Sequence, residues 1–306
     1  MNYTLHQLQL FLKIVEKKSI TKAALELNLT QPAVSIQLKN FQDQFDIPLT
    51  EVIGRQLFIT DFGSEIAQIA QRIIDEIETI NYKTQAFKGI LSGKLKLAVV
   101  STGKYVMPYF LSAFVEQFPQ IDLIVGVSNR KNVLDSLKNN EVDFALVSVL
   151  PNDFKVNAET ILDNKIFLMG TKASALKAAD TKIDFNETPL IFREQGSGTR
   201  LVMENYFNKK NIQFKIKMQL TSNEAVKQAV IAGLGLSILP LIGCKNELKN
   251  NELQIIPVNG FPIQSVWNLI WLPNKKMSPI AASYLKFIQK EKNQIQKANF
   301  DWILNY

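Results

Sequence analysis

At GILSG, Gly89 to Gly93, the rhythm of apolar residues changes, and no single kind of domain accommodates both sides of it. Ahead of it apolar residues recur at helical intervals. Behind it short apolar runs alternate with helical patterns. The segment just before the change, Ser64 to Lys88, holds neither Gly nor Pro. Within it Ile66, Ala70, Ile73, Ile77, Ile80, Thr84 and Phe87 are spaced alternately four and three residues apart. That repeat predicts a long helix whose apolar seam pairs with its copy in a second chain.

Further upstream, Leu5, Leu8, Leu12 and Val15, widened by Phe11 and Ile14, predict a first helix ending near Lys18. Ser19 is placed to cap a second helix carrying Ala23, Ala24 and Leu27. A turn at Asn28-Leu29 then leads to Thr30, the expected cap of a third helix with Pro32 in its first turn. Val34, Leu38 and Phe41 set the inward stripe of that helix. Two short helices on a tight turn make a helix-turn-helix pattern. Two β-prone runs around Gly54-Arg55, within Pro48 to Thr60, predict a hairpin or wing.

Beyond Gly93 the strands KLKLAVVS, IDLIVGV and VDFALVSV alternate with the helices KYVMPYFLSAFVEQF and KNVLDSLKN. Such alternation implies right-handed crossovers and a largely parallel sheet. A second set runs from about Lys165: KIFLMG, PLIFRE, a helix from Thr199, a strand near Lys215 to Leu220, the helix NEAVKQAVIAG and LSILP. SVWNLIWLP and a helix from Ser278 to about Lys292 have no partner there, so they return to the first set. Two α/β lobes joined by a pair of crossing strands result. The expected fold class is α/β. Residues 1–60 form a winged helix-turn-helix, 61–92 a linker helix and hinge, and 93–306 a two-lobed domain. Lobe I spans about 93–161 and 266–306, and lobe II about 162–265. The aromatic tail FDWILNY is expected to pack on a lobe.

Composition narrows the function. At 46% hydrophobic and 21% charged the chain is globular rather than disordered. It has no apolar run of about 18 residues. MNYTLHQLQLFLKIVEKK lacks the basic start and unbroken apolar core of a secretory leader, so a cytoplasmic protein with no membrane partner is expected. One cysteine, Cys244, excludes an internal disulfide; one histidine, His6, leaves little for zinc or for Ser–His–Asp chemistry. Neither enzymatic activity nor a cofactor or metal is expected. The net charge is +7, yet residues 1–92 carry nine Lys and Arg against ten Asp and Glu. Any DNA-binding role there must rest on pattern. Residues 93–306 carry 26 against 18, an excess that scattered surface lysines account for and that also suits an anionic ligand.

TKAALELNLTQPAVSIQLKNFQDQF, VIGRQLFIT and the long helix resemble the winged helix-turn-helix and linker of LysR-type transcriptional regulators. The lobes resemble that family's effector-binding domain, of periplasmic-binding-protein type. VSTGKYVMPYFLSAF, VGVSNRKNVLDSLKNNEVDFALV, FREQGSGTR and SNEAVKQAVIAGLGLSILP are similar to a narrower branch, the regulators of RuBisCO operons, and to nearby sulfur-metabolism regulators. The resemblance implies double-stranded DNA and a small anionic effector as partners, and self-association into a homodimer through the linker helix and a homotetramer. Thr50, Gln42, Asp46 and Phe62 depart from the family's usual Phe, Glu, Gly and Ala, and Phe41 from its Leu. They fall where the wing meets the third helix and imply repacking there.

A helix in a major groove reads bases with its first turns, which favours small and amide-bearing residues. Gln31 can reach an adenine edge bidentately. Pro32 and Ala33 permit close approach, and Ser35 can meet a phosphate or base edge. Gln37 and Lys39 lie further along, toward the DNA backbone, and Thr30 stands at the helix start near phosphate. Arg55 at the wing tip suits a narrow minor groove. Each residue alone is equally at home on a solvated helix face; the constellation points to DNA.

In open α/β sheets ligands gather at the carboxyl ends of strands, where helix N-termini favour anions. Ser101, Thr102, Asn129, Ser148, Arg193, Ser197 and Thr199 fall at such positions and are the candidate effector contacts, with Arg193 able to supply bidentate charge. By resemblance, Ser101, Thr102, Ser148 and Thr199 are the direct ones. Arg200 serves either the ligand or a structural ion pair. Gly233 to Gly235 is no dinucleotide fingerprint, because it follows a helix and precedes a strand. A solute-transport binding protein would need a leader and no N-terminal unit. An enzyme using GSGTR would need a general base. A regulator of sulfur or nitrogen assimilation stands as the nearer alternative.

Overall fold

The computed structural model describes residues 3–54, 56–87, 91–180 and 183–306. Arg55, the expected wing-tip contact, lies outside the described residues, as do Lys88 to Ile90 of the expected hinge and the Phe87 side chain of the seam. Two compact units are present, Met1–Ile90 and Leu91–Tyr306.

In the first unit, α1 (Leu5–Lys17) starts at a reciprocal cap between Thr4 and Gln7 and stops where Lys18 turns left-handed. Ser19 Oγ accepts from the Lys22 amide at 3.3 Å to begin α2 (Ile20–Glu26). α3 (Gln31–Gln42) carries Pro in its first turn. The α1 stripe is centred on Leu8, Leu10, Phe11 and Ile14, while Leu5 is exposed. These residues pack with Ala23, Ala24, Val34, Leu38 and Phe41 into one core. β1 (Thr50–Ile53) and β2 (Gln56–Ile59) pair antiparallel, Ile53 opposite Gln56. Gly54 supplies the positive φ of 65° that so short a connection requires.

The departures noted at the wing compensate one another. Gln42 Oε1 accepts from the Thr50 amide at 3.1 Å and the Thr50 hydroxyl at 2.8 Å. Phe41, Phe45 and Phe62 form an edge-on chain, with centroids 5.2 and 5.9 Å apart.

α4 (Asp61–Phe87) is the long helix. A Cβ on Gly63 would meet the Leu49 carbonyl at 2.0 Å, so only glycine lets the helix start against the wing. The seam divides. Ala67 and Ala70 are buried in the core of their own unit, with Ile66 and Ile74 packed against it. Ile69, Ile73 and Ile80 stay exposed, with Ile77 half-buried among them. The unpartnered stripe is therefore Ile69–Ile73–Ile77–Ile80, shifted from the expected start at Ile66 and Ala70.

The second unit contains β3 (Gly93–Val100), α5 (Met107–Gln117), β4 (Ile121–Ser128), α6 (Arg130–Lys138) and β5 (Phe144–Val147). β6 (Asn157–Gly170) and α7 (Lys172–Asp180) follow, then β7 (Leu190–Arg193), α8 (Gly198–Lys209), β8 (Ile216–Leu220), α9 (Asn223–Ile231) and β9 (Ser237–Pro240). α10 (Lys245–Lys249), β10 (Gln254–Ile255), β11 (Ile263–Trp271) and α11 (Pro279–Phe300) complete the chain. The main sheet runs β10-β6-β11-β5-β3-β4, with β9 also on β6. β3 is parallel to β4 and β5, and β7 to β8. β11 is antiparallel to both β5 and β6, and β9 and β10 to β6, so the sheet is mixed rather than largely parallel. The antiparallel part comes from the crossing strands. β6 and β11 pair from Asn157↔Trp271 to Ile166↔Ile263, with a register shift between Trp267 and Asn268.

α11 continues past Lys292 to Phe300 because its polar face follows β6: Lys292 pairs with Glu159, and Gln296 Nε2 donates to the Ile161 carbonyl at 2.6 Å. The tail docks as a 3-10 turn. Lys165 Nζ donates to the carbonyls of Ile303 at 3.1 Å and Tyr306 at 2.6 Å, and Phe300 stacks on Phe110.

Candidate nucleic-acid interface and effector cleft

On α3 the buried stripe Val34–Leu38–Phe41 turns the opposite face outward. Gln31, Pro32, Ile36, Lys39 and Asn40 are exposed, and Ala33 and Ser35 half-buried beside them. Thr30 occupies the cap position with extended backbone, but its hydroxyl makes no cap bond. Gln37 departs from the expected set. Its Oε1 accepts from Gln7 Nε2 at 3.4 Å, which turns it toward α1 and away from the flank of Lys39. Ile36, 59% exposed on the outward face, was not foreseen as a contact. A polar neighbourhood masks it in sequence, although an exposed apolar side chain there suits a thymine methyl.

In the second unit a 3-10 turn, Ser101–Tyr105, follows β3 and reaches β7 and α9 of the other lobe. Arg193, at the end of β7, is buried, with Nε donating to Glu194 Oε2 at 2.7 Å and Nη2 to Glu194 Oε1 at 2.9 Å. That fork leaves Nη1 to reach across to Ser101 Oγ at 3.5 Å. Asn223 Nδ2 donates to the same hydroxyl at 3.3 Å, while its Oδ1 accepts from Thr199 Oγ1 at 3.4 Å. Ser101, Arg193 and Thr199 thus converge, with Thr102 buried in the same turn.

The other candidates make no side-chain hydrogen bond to this group among the described residues, although β4 and β5 run parallel to β3 and end just before Asn129 and Ser148, beside Ser101. Asn129 and Ser197 spend their side-chain oxygens capping α6 and α8, accepting from the Asn132 and Arg200 amides at 3.0 and 3.5 Å. Their turns meet where the Lys131 amide donates to the Gly196 carbonyl at 3.1 Å. Ser148 follows β5, half-buried, and no hydrogen bond ties it to the group among the described residues. Arg200 is structural: it donates to Glu204 at 2.7 Å, the Arg193 carbonyl at 3.0 Å and Gln219 at 2.6 Å. Between α6 and α8 lies a cavity of about 390 Å³, lined by Arg130, Lys131, Asp153, Gln195, Ser197 and Arg200. Burial holds the Arg130 guanidinium below its usual pKa, and it donates to the carbonyls of Val149 and Leu150.

Sequence reasoning missed Asn223 and Glu194. Asn223 looked like the first residue of an ordinary helix, and only the approach of the opposite lobe makes it a cleft residue. Glu194 adjoined Arg193, and adjacency in a strand says nothing about a fork. The arrangement offers guanidinium, amide and hydroxyl donors to an anion. Burial pushes the Cys244 thiol up to about 12, so it stays protonated at neutral pH. No helix among the described residues is long and apolar enough to cross a membrane.

A winged helix-turn-helix carried with a two-lobed cleft is the architecture of a ligand-responsive DNA-binding regulator. Residues 5–64 match the bacterial regulatory helix-turn-helix protein, lysR family, and residues 88–293 match the LysR substrate binding domain. The chain belongs to the LysR family of transcriptional regulators. It is 35% identical to the HTH-type transcriptional activator CmpR of Synechocystis sp. PCC 6803, covering 94% of this chain and 95% of that one. Identity to the RuBisCO operon transcriptional regulator of Allochromatium vinosum is 34%, over 95% and 97%. Among solved structures, the regulatory domain of Synechocystis PCC 6803 CcmR in complex with 2-PG is similar at a TM-score of 0.60 and 33% identity. It covers 64% of this chain and 96% of that one. The branch expected from FREQGSGTR and its companion segments is the one these relatives represent.

Proposed function

We propose that the cleft binds a small phosphorylated carboxylate of the 2-phosphoglycolate kind, and that occupancy alters how the first unit engages its operators. The observation that carries this is the convergence of Arg193, Asn223, Thr199 and Ser101 from two lobes. The ligand of the similar CcmR domain supports it. Gln31, Pro32, Ser35 and Ile36 read the major groove, with Lys39 toward the DNA backbone, Thr30 near phosphate and Arg55 in the adjoining minor groove.

The Ile69–Ile80 stripe of α4 forms a homodimer seam, since four apolar residues on one face of a helix are rarely left in water. β4 is the edge of the main sheet and exposes Ile124, Val125 and Val127, which supports a second self-contact and a homotetramer. The genes controlled belong to carbon assimilation rather than to sulfur or nitrogen, in keeping with the relatives named, and the protein acts in the cytoplasm.

Calorimetric titration with 2-phosphoglycolate tests the cleft. Saturable binding, weakened about tenfold or more in Arg193→Lys, is expected from loss of the fork geometry. Equal affinity in the variant and the parent would remove Arg193 from the site.

A further inference from the structure

Both elements that furnish the cleft go on, within a few residues, to join the lobes a second time. Ser101 and Thr102 open the 3-10 turn that ends at Tyr105, and Asn223 is followed directly by Glu224 on α9. Tyr105 Oη crosses between the lobes and donates to Glu224 Oε2 at 2.9 Å. The acceptor is fixed in turn: Lys227 Nζ lies 3.0 Å from that oxygen, is paired with Glu247, and donates to the Gly243 carbonyl at 3.1 Å. Lys227 is buried, and its bonds to Glu247 and Glu224 outweigh the burial that would discharge it. The Tyr105 ring lies flush on Gly243, where an added Cβ would come within 3.0 Å of it.

We propose that Tyr105 is an interlobe latch that holds the cleft closed, so that an incoming anion binds against it. This rests on the reading of the cleft as the effector site. Ser101 now fills the space between Arg193 and Asn223, at 3.5 and 3.3 Å. An anion seated on those two donors has to part Ser101 from them, and the same movement pulls Tyr105 from Glu224. A charge-assisted hydrogen bond on that path lowers the population able to accept ligand, and the apparent affinity falls in proportion. Across the cleft, the Lys131 amide bonded to the Gly196 carbonyl reports the same opening without ligand.

Tyr105→Phe keeps the ring on Gly243 and deletes only the hydroxyl. In the ligand-free full-length variant, hydrogen exchange at the Lys131 amide is expected to quicken about three- to tenfold. The Kd for 2-phosphoglycolate is expected to fall by a similar factor. Unchanged exchange at Lys131 would overturn the latch, and so would quicker exchange accompanied by weaker binding. Quicker exchange in a protein that takes no 2-phosphoglycolate even in its parent form would uphold the latch and sink the choice of ligand instead.

Discussion

The helix proposed to read DNA and the cleft proposed to hold the effector differ in how their polar residues stand before any partner arrives. On α3 the side chains of Gln31, Ser35 and Lys39 bond to nothing else among the described residues, and rigid packing through Val34, Leu38 and Phe41 holds their face outward. In the cleft Ser101, Arg193, Thr199 and Asn223 satisfy one another. The first surface is ready-made and needs only to be presented at the right spacing. The second has to exchange partners to take a ligand, so conformational change belongs to the lobes.

The largest effect follows from presentation. If a ready-made face works through its duplicate, Ile73→Asp together with Ile80→Asp should abolish the α4 seam and leave a protein that keeps its fold in assemblies no larger than the dimer that β4 can hold. Its operator affinity should fall by about a hundredfold or more, the scale on which bivalency operates. Sedimentation velocity and fluorescence anisotropy check this, and a protein without the seam that keeps parental affinity would break the comparison. Next comes Arg200→Met in the cleft wall. Removing a buried, multiply bonded guanidinium from its partners should cost about 3 kcal/mol of unfolding free energy. Denaturant titration reads that loss. DNA discrimination should stay as it was, which separates a structural arginine from a reading one. Gln31→Ala should do the reverse. Stability should hold, and discrimination at one base position should relax by about 1–3 kcal/mol in titrations on variant operators.

How much of this was legible in the sequence depended on how local each cause was. α3 could be read because its buried positions recur within one helix and Pro32 marks its start. The lobes could be read because apolar runs of strand length alternate with helical ones. Gln42 and Thr50 each looked like an isolated departure. They stand eight residues apart in the chain, and only folding brings them 2.8 Å apart in space, where each explains the other. Asn223 and Tyr105 stayed hidden for the same reason, since their partners come from the other lobe. The seam was half legible. A four-three repeat marks an apolar face but not which part of it the protein's own core consumes, and here Ile66 and Ala70 go to the core and Ile73 and Ile80 remain. The extension of α11 to Phe300 was masked by its polar surface, which follows β6 through side-chain bonds while only Ile295 and Phe300 join the core.

The central claim is that the self-satisfied cleft governs the ready-made reading face. The direct test is a footprint of the full-length protein on the DNA upstream of its own gene, with and without saturating 2-phosphoglycolate. A changed protected length or a shifted bend-dependent mobility at the same occupancy is the predicted result. Identical footprints and identical affinity, in protein that calorimetry shows to be loaded with the anion, would contradict it.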